Sequence, residues 1–527
     1  MIVRTLVKPK TYRDSVELMS LSAAVKALPG IDEVAVIMGT ERNKASLDAS
    51  NLLVGEAAAA KPNDLVAVVR GTAEETVAHA LSLIKSRLAQ TGQEVVAQSE
   101  REWPKSIAAA VRERPGSNVA LISVPGSYAA SEAFKALRSG LHVMIFSDNV
   151  SIEEEVRLKR LGRELGLLVM GPDCGTSIIN GALLGFANVV SRGTIGVVGA
   201  SGTGIQQVTS LIDRLGLGIT HAIGTGGRDL ADEVGGVTTL IAIDALEQDP
   251  DTRVLVVISK PAGKITSGRV LGRLRQCSKP VVVCILGGDL AAVEANRLHG
   301  AKTLEDAATL AVSLARGAET AAFADPGTVG FPRAGMEQQI REEVAKLTPN
   351  QKYLRGLYAG GTLADEAMYV VRPLIGDVYS NMPIREEFRL PDVNRSLKHC
   401  VVDMGDDAFT LGRPHPMIDP SMRTERLLRE AADPEVAVIL CDVVLGYGSQ
   451  PNPAGVLASA IEQARQVAGD RHIAFVASVC GSKRDPQKLD LQEQILRDSG
   501  ALVFPTNAYA AEVAGMIGLA SVERRGS

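Results

Sequence analysis

The stretch Thr194-Ile195-Gly196-Val197-Val198-Gly199-Ala200-Ser201-Gly202-Thr203-Gly204 reads as a β-branched strand that turns through glycines into a helix, and Leu354-Arg355-Gly356-Leu357-Tyr358-Ala359-Gly360-Gly361-Thr362-Leu363 reads the same way. A parallel strand that feeds a helix like this aims the helix's free N–H groups and positive dipole end at one point, which makes an anion site without a charged side chain. Ser201, Gly202, Thr203 and Gly204 in the first turn, and Gly360, Gly361 and Thr362 in the second, are candidate phosphate or carboxylate ligands. The same residue types also form ordinary helix caps. Either motif alone leaves capping and ligand binding both open.

Outward from these two turns the chain repeats itself in order. Ile223-Gly224-Thr225-Gly226-Gly227-Arg228-Asp229-Leu230 answers Val402-Asp403-Met404-Gly405-Asp406-Asp407, and the run Pro250–Ile258 answers Pro434–Leu440. Pro280–Gly288 then answers His472–Gly481, and Gly300–Asp306 answers Gly500–Pro505. Five features in one order mark a diverged internal duplication. Every glycine-rich loop in it falls at the carboxyl end of a strand, where ligands gather in parallel sheets.

The rest of the chain alternates β-branched runs with amphipathic stretches, the pattern of parallel sheets covered by helices. The expected class is therefore α/β. Residues 1–102 form a small α/β domain, 103–192 a Rossmann-like domain, 193–324 the first flavodoxin-like copy, 325–350 a proline-bearing linker and 351–527 the second copy. Glu153-Glu154-Glu155 reads as the acidic first turn of a solvated helix.

Composition narrows the function. The 527 residues carry 56 basic and 61 acidic side chains, a formal net charge of -5, mixed along the chain without the basic block that nucleic acid requires. Cys174, Cys277, Cys284, Cys400, Cys441 and Cys480 show no CxxC or Cys/His spacing, so free thiols and no metal site are expected. No apolar run approaches the ~20 residues of a membrane span, and a cytoplasmic protein is expected.

Among the loops, Gly226 and Gly227, Gly405, Gly446 and Gly481 are further candidates for the ligand crevice. Asp406 and Asp407, adjacent acids in one loop, suit acid–base work, although a solvated loop is the plainer alternative. The segment Leu411–Pro420 is an insertion relative to the first copy, and its three prolines would hold His415 over a site or leave it as a surface histidine. Gly171-Pro172-Asp173-Cys174 follows a buried strand. Cys174 invites a nucleophile reading, but no base is marked near it and packing explains it as well.

These residues resemble a known family. From about Val119 to Leu314 the chain is similar to the α subunit of succinyl-CoA synthetase, through Val124-Pro125, Gly171-Pro172-Asp173-Cys174, Ser201-Gly202-Thr203 and Gly226-Gly227. From about Tyr353 onward it resembles the carboxy-terminal domain of the β subunit. The fusion, with its amino-terminal unit, looks like the FdrA family over nearly the whole chain. The resemblance implies a CoA-binding-like Rossmann domain plus two flavodoxin-like succinyl-CoA synthetase domains, with Pro125, Pro172, Asp173 and Cys174 as cofactor contacts and CoA as the possible cofactor.

The departures matter as much. The Gly-His-Ala-Gly loop that carries the ligases' phosphohistidine has no counterpart after Leu286-Gly287-Gly288-Asp289, and Lys260 stands where they orient that histidine with a glutamate. The early glycine loop of the CoA domain and an ATP-grasp domain are also absent. FdrA-family members are associated with oxamate carbamoyltransfer in allantoin breakdown together with two other subunits. The resemblance therefore implies carbamoyl phosphate and oxamate as substrates, other subunits as partners, and Lys260 as a catalytic cation, with an acyl-CoA ligase subunit or a non-catalytic scaffold as alternatives.

Overall fold

In the computed structural model all residues are described except 1, 10, 12, 14, 27, 51, 98–103, 318–329, 411–412 and 524–527. The chain divides into two compact units, Met1–Pro104 with Asp407–Met422, and Lys105–Asp406 with Arg423–Ser527.

The first unit is built on strands β1 (Ile2–Lys8), β2 (Ile31–Met38) and β3 (Leu65–Gly71), with β3 central and both neighbours antiparallel to it. Period-two alternation sends Leu65, Ala67 and Val69 into one core with Val77 and Ile84 of the helix Glu74–Ala97, and Val66 and Val68 into another with Leu47 and Leu52.

The second unit holds three sheets. Strands β4 (Val119–Ile122), β5 (His142–Ile145) and β6 (Val169–Met170) are parallel, in the order β4-β5-β6. The hairpin β7 (Thr176–Ile179) and β8 (Ala182–Gly185) follows them, but it pairs antiparallel with the sheet of the next domain, Ile178 opposite Ala222. Backbone pairing thus joins 176–185 to the first flavodoxin-like sheet, across the boundary expected at 192/193.

That sheet contains β9 (Arg192–Ala200), β10 (Ile219–Gly224), β11 (Val254–Ser259), β12 (Val281–Ile285) and β13 (His299–Gly300) in the order β13-β12-β11-β9-β10. The last sheet contains β14 (Tyr353–Tyr358), β15 (Cys400–Asp403), β16 (Val436–Val444), β17 (Ala474–Cys480) and β18 (Leu502–Phe504), in the order β15-β14-β16-β17-β18. Numbered within each copy, both run 2-1-3-4-5, the flavodoxin-like order. The duplication read from five sequence features is a duplication of five strands. All nine residues of β16 are buried, as a central parallel strand with both faces covered requires.

Two further expectations change. Residues 325–329 of the proposed linker lie outside the described residues, whereas Met336–Lys346 is a helix that packs on the final helix Asn507–Glu523 through a buried face including Ile340 and Val344. Glu155 is fully buried: it pairs with Lys159 at 2.9 Å and Arg228 at 2.9 Å, so the acidic turn is only partly solvated.

Candidate functional site

Strand β9 runs into the helix Gly202–Arg214, and β14 into the helix Gly361–Ile375. Ser201 is the extended cap residue of the first, and its Oγ accepts from Gly204 N at 2.9 Å. A side chain at position 204 would lie 2.3 Å from that oxygen, so the cap itself requires glycine there. The two turns meet head to head. Ser201 Oγ lies 2.6 Å from Thr362 Oγ1, and the Thr203 methyl would lie 3.0 Å from a Cβ on Gly360. The cap of each helix thus touches the second residue of the other.

The two positive helix ends are not equivalent. At the second, the carboxylate of the buried Asp442 accepts from Ala359 N and Gly360 N, each at 2.8 Å, and pairs with Arg423 at 2.9 Å. Register places Ile258 at the corresponding position of the first copy, since Leu357 pairs with Cys441 as Val198 pairs with Val257. The first helix end therefore carries a hydroxyl cap and no carboxylate of its own. Among the described residues no acceptor meets the amides of Gly202 and Thr203, and both residues are half-buried. A side chain on Gly202 would find its nearest atom, Thr176 Oγ1, only at 3.5 Å.

Lys260, directly after β11, reaches the second helix. Its ammonium lies 3.5 Å from Asp365 and would lie 2.9 Å from a Cβ on Gly361, and its side chain is 31% exposed. Burial pushes the Lys260 ammonium down, but the carboxylates of Asp365, Asp403 and Asp173 outweigh it and hold the group charged. Asp403, the last residue of β15, is buried; its Oδ1 accepts from Gly405 N at 2.9 Å, and its Oδ2 lies where a Gly361 side chain would collide, at 2.4 Å. Burial pushes the Asp403 carboxyl up to about 7, only partly offset by Lys260, with Asp365 adding to the rise. A carboxyl that titrates near neutrality beside a fixed cation is what acid–base chemistry at neutral pH needs.

Other predicted residues sort by position. Gly226 packs on the Gly171–Pro172 turn, where a side chain would meet Pro172 O at 2.3 Å, and Gly227 lies beside Asp173. The buried Lys159 ammonium grips this loop at Thr225 O, 2.9 Å, and Asp229, 2.6 Å. Pro125 starts the helix Gly126–Arg138, and its loop is laced to the next by Val124 N donating to Ser147 Oγ, while Asp173 N donates to Ser147 O. Cys174 is buried and burial pushes its thiol up to about 11, so it is no thiolate nucleophile.

Gly446 and Gly481 do not open onto the crevice. Gly446 is pressed against Ala187 O, Gly481 against Leu445, and Ser482 Oγ donates to Val189 O at 2.6 Å: residues 186–189 of the same chain fill this region. Gly405 and Asp406 continue from Asp403 in the second unit. Asp407, exposed, and His415, whose Nδ1 accepts from Met417 N at 3.2 Å, belong to the first unit.

Gly287 (φ +68°) packs against the ring of Tyr369, which a side chain at that position would have to displace. An open cleft of about 370 Å³ between Arg192 and Arg253 lies at the amino ends of β9 and β11, away from the helix ends, and takes no part in the site.

Comparison with known proteins now bears on this geometry. The protein YahF of Escherichia coli strain K12, described as uncharacterized, is 45% identical over 95% of this chain and 96% of its own length. The chain belongs to the YahF family. A family model described as CoA-ligase matches residues 357–517, one described as CoA binding domain matches 190–270, and one described as AllF, heavy metal-associated domain, matches 1–104. A succinate–CoA ligase (ADP-forming) subunit alpha 2 of Archaeoglobus fulgidus is 28% identical over 34% of this chain and 63% of that subunit. The solved ATP citrate lyase of Methanosaeta concilii in complex with (3S)-citryl-CoA covers 46% of each chain at 16% identity, with a TM-score of 0.35.

The family is thus succinyl-CoA synthetase-like, with CoA-ligase and CoA-binding-type domains. The CoA-binding match falls on the Ser201 turn rather than on 103–192. Residues 1–104 contain no cysteine and one histidine, His79, and no cluster of His, Cys, Asp or Glu that could hold a metal occurs among the described residues. They do not fit a heavy-metal ion. No helix among the described residues is long and apolar enough to cross a membrane.

Asp403, Asp365 and Asp442 escaped the sequence reading. Two of them have a visible trace: Asp442 is an acid inside an apolar strand run, and Asp403 ends a strand at the ligand side of the sheet.

Proposed function

We propose that the chain is an acyl- or carbamoyl-transfer subunit of the FdrA type, acting in oxamate carbamoyltransfer: carbamoyl phosphate and oxamate give oxalurate and phosphate, in allantoin breakdown. The observation that carries the reading is the head-to-head pair of helix ends with Lys260 and Asp403 beside them, in a chain that lacks the phosphohistidine. The oxyanion sits at the first helix end, on the amides of Gly202 and Thr203; before the second helix Asp442 takes the amides of Ala359 and Gly360, and Asp403 Oδ2 stands beside Gly361. Lys260, kept charged, faces the phosphate.

The amide nitrogen of oxamate attacks the carbamoyl carbon and the carbon–oxygen bond to phosphate breaks. Asp403 takes the proton that nitrogen loses and returns it to the departing phosphate. In this reading Asp403 takes the acid–base role, because Lys260 and the amino end of the helix Gly361–Ile375 stand beside its carboxyl. Other subunits complete the reaction, and no membrane or nucleic acid takes part.

The test is phosphate release from carbamoyl phosphate, with and without oxamate, by this chain alone and with candidate partner subunits. Release that depends on oxamate supports the reading; none in any combination ends it.

A second reading, an acid–CoA ligase subunit, is favoured by the CoA-ligase and CoA-binding matches at 357–517 and 190–270. The first helix end and Lys260 would hold one phosphate of CoA, which would supply a thiol nucleophile. Tight CoA binding in a calorimetric titration would favour it.

A further inference from the structure

Between the first helix and second strand of the first copy stand residues 215–218; the second copy has 376–399 at the same place. This longer segment runs along the open edge of β15. Tyr379 N donates to His399 O and Val401 N donates to Tyr379 O, both at 2.9 Å, and Ser380 bridges Arg389. Its far end is latched to a buried charge cluster: Arg426 donates to Val393 O and to Ser396 Oγ, both at 2.8 Å, and Glu430 ties Arg426 to Arg355.

One side chain of the segment reaches Asp403. Asn381, 4% exposed, donates from Nδ2 to Asp403 O at 2.9 Å and accepts from Asp403 N at 3.0 Å through Oδ1. Its amide thus acts as one more strand residue, taking both backbone groups that an edge strand otherwise leaves to water. Arg389 in turn donates to Asn381 O at 2.5 Å, so the grip is itself held.

We infer that Asn381 is a positioning residue: it fixes the Asp403 backbone so that the carboxylate stays between Lys260 and the amino end of the helix Gly361–Ile375. The role in catalysis rests on the proposed transfer reading, but the positioning does not. A shorter side chain cannot reach both backbone groups, and a loosened strand end admits water to a carboxyl that faces Lys260, Asp365 and Asp406.

The experiment uses the full-length chain labelled with 13Cγ-aspartate, with the Asp403 signal assigned by its loss in Asp403→Asn. The carboxyl titration is compared in wild type, Asn381→Ala and the milder Asn381→Ser, the second carrying the comparison if the first does not fold. The expected result is a fall of the Asp403 midpoint by about one pH unit or more in the variants, as desolvation is relieved. An unchanged midpoint in a folded variant overturns the inference. Adding carbamoyl phosphate and oxamate, together with the candidate partner subunits, separates the two claims: a shifted midpoint with no turnover even in wild type keeps the positioning and removes the transfer reading. Turnover with an unmoved midpoint does the reverse.

Discussion

Ser201 Oγ lies 2.6 Å from Thr362 Oγ1, joining the cap of one helix to the first turn of another across two copies of the same fold. Two positive helix ends brought together repel, and an anion or carboxylate relieves them. Asp442 takes the amides of Ala359 and Gly360 just before the second helix, and the first copy has no carboxylate at that place. That difference, Ile258 in one copy and Asp442 in the other, turns a repeated motif into a site with one free place.

Asp403→Asn is expected to lower transfer by about a hundredfold or more, in the range of a lost general acid–base group, while leaving inorganic phosphate binding intact. Steady-state phosphate release and calorimetry on the same sample check both halves.

Glycine substitutions should behave differently at the two ends. Gly202→Ala meets its nearest atom at 3.5 Å, so unfolding stability should change by less than about 0.5 kcal/mol while phosphate affinity falls. Gly361→Ala would place a methyl 2.4 Å from Asp403 and 2.9 Å from Lys260, displacing both. It should reduce turnover about tenfold or more with bound phosphate still detectable.

Asp442→Ala leaves Arg423 buried without its partner and two amides without an acceptor, and should destabilise the chain by about 3–5 kcal/mol. Denaturant unfolding measures it.

Glu366 provides a pH test. Its carboxyl accepts from Leu304 N and Asn507 Nδ2, yet burial pushes it up to about 7. The folded state therefore binds this proton more tightly than the unfolded one, so its contribution to stability falls as pH rises from the ordinary carboxylate range to about 7 and is level above that. Glu366→Gln should flatten this part of the profile, with a difference on the order of 1–3 kcal/mol between about pH 5 and pH 8.

The strand-turn-helix motifs, their pairing and the order of the five repeated features were legible because each depends on local pattern: glycine, β-branching and spacing. The electrostatics were not, because they arise between copies. Glu153, Glu154 and Glu155 are alike in sequence, and only packing against Lys159 and Arg228 buries the third. Gly446 and Gly481 lie in loops that read as crevice candidates, yet Ala187 O closes on the first and Leu445 on the second. The hairpin 176–185 gave no sign of joining the following sheet, since its partner strand lies beyond a further helix. Asn381 was silent for the same reason: nothing in a loop asparagine marks which strand its amide will complete.

The central claim is an oxyanion place at the amino end of the helix Gly202–Arg214. Calorimetric titration of inorganic phosphate into wild type and Gly202→Val tests it most directly. A single saturable site in wild type that vanishes in the folded variant is the predicted result; no binding in wild type, or undiminished binding in the variant, would contradict it.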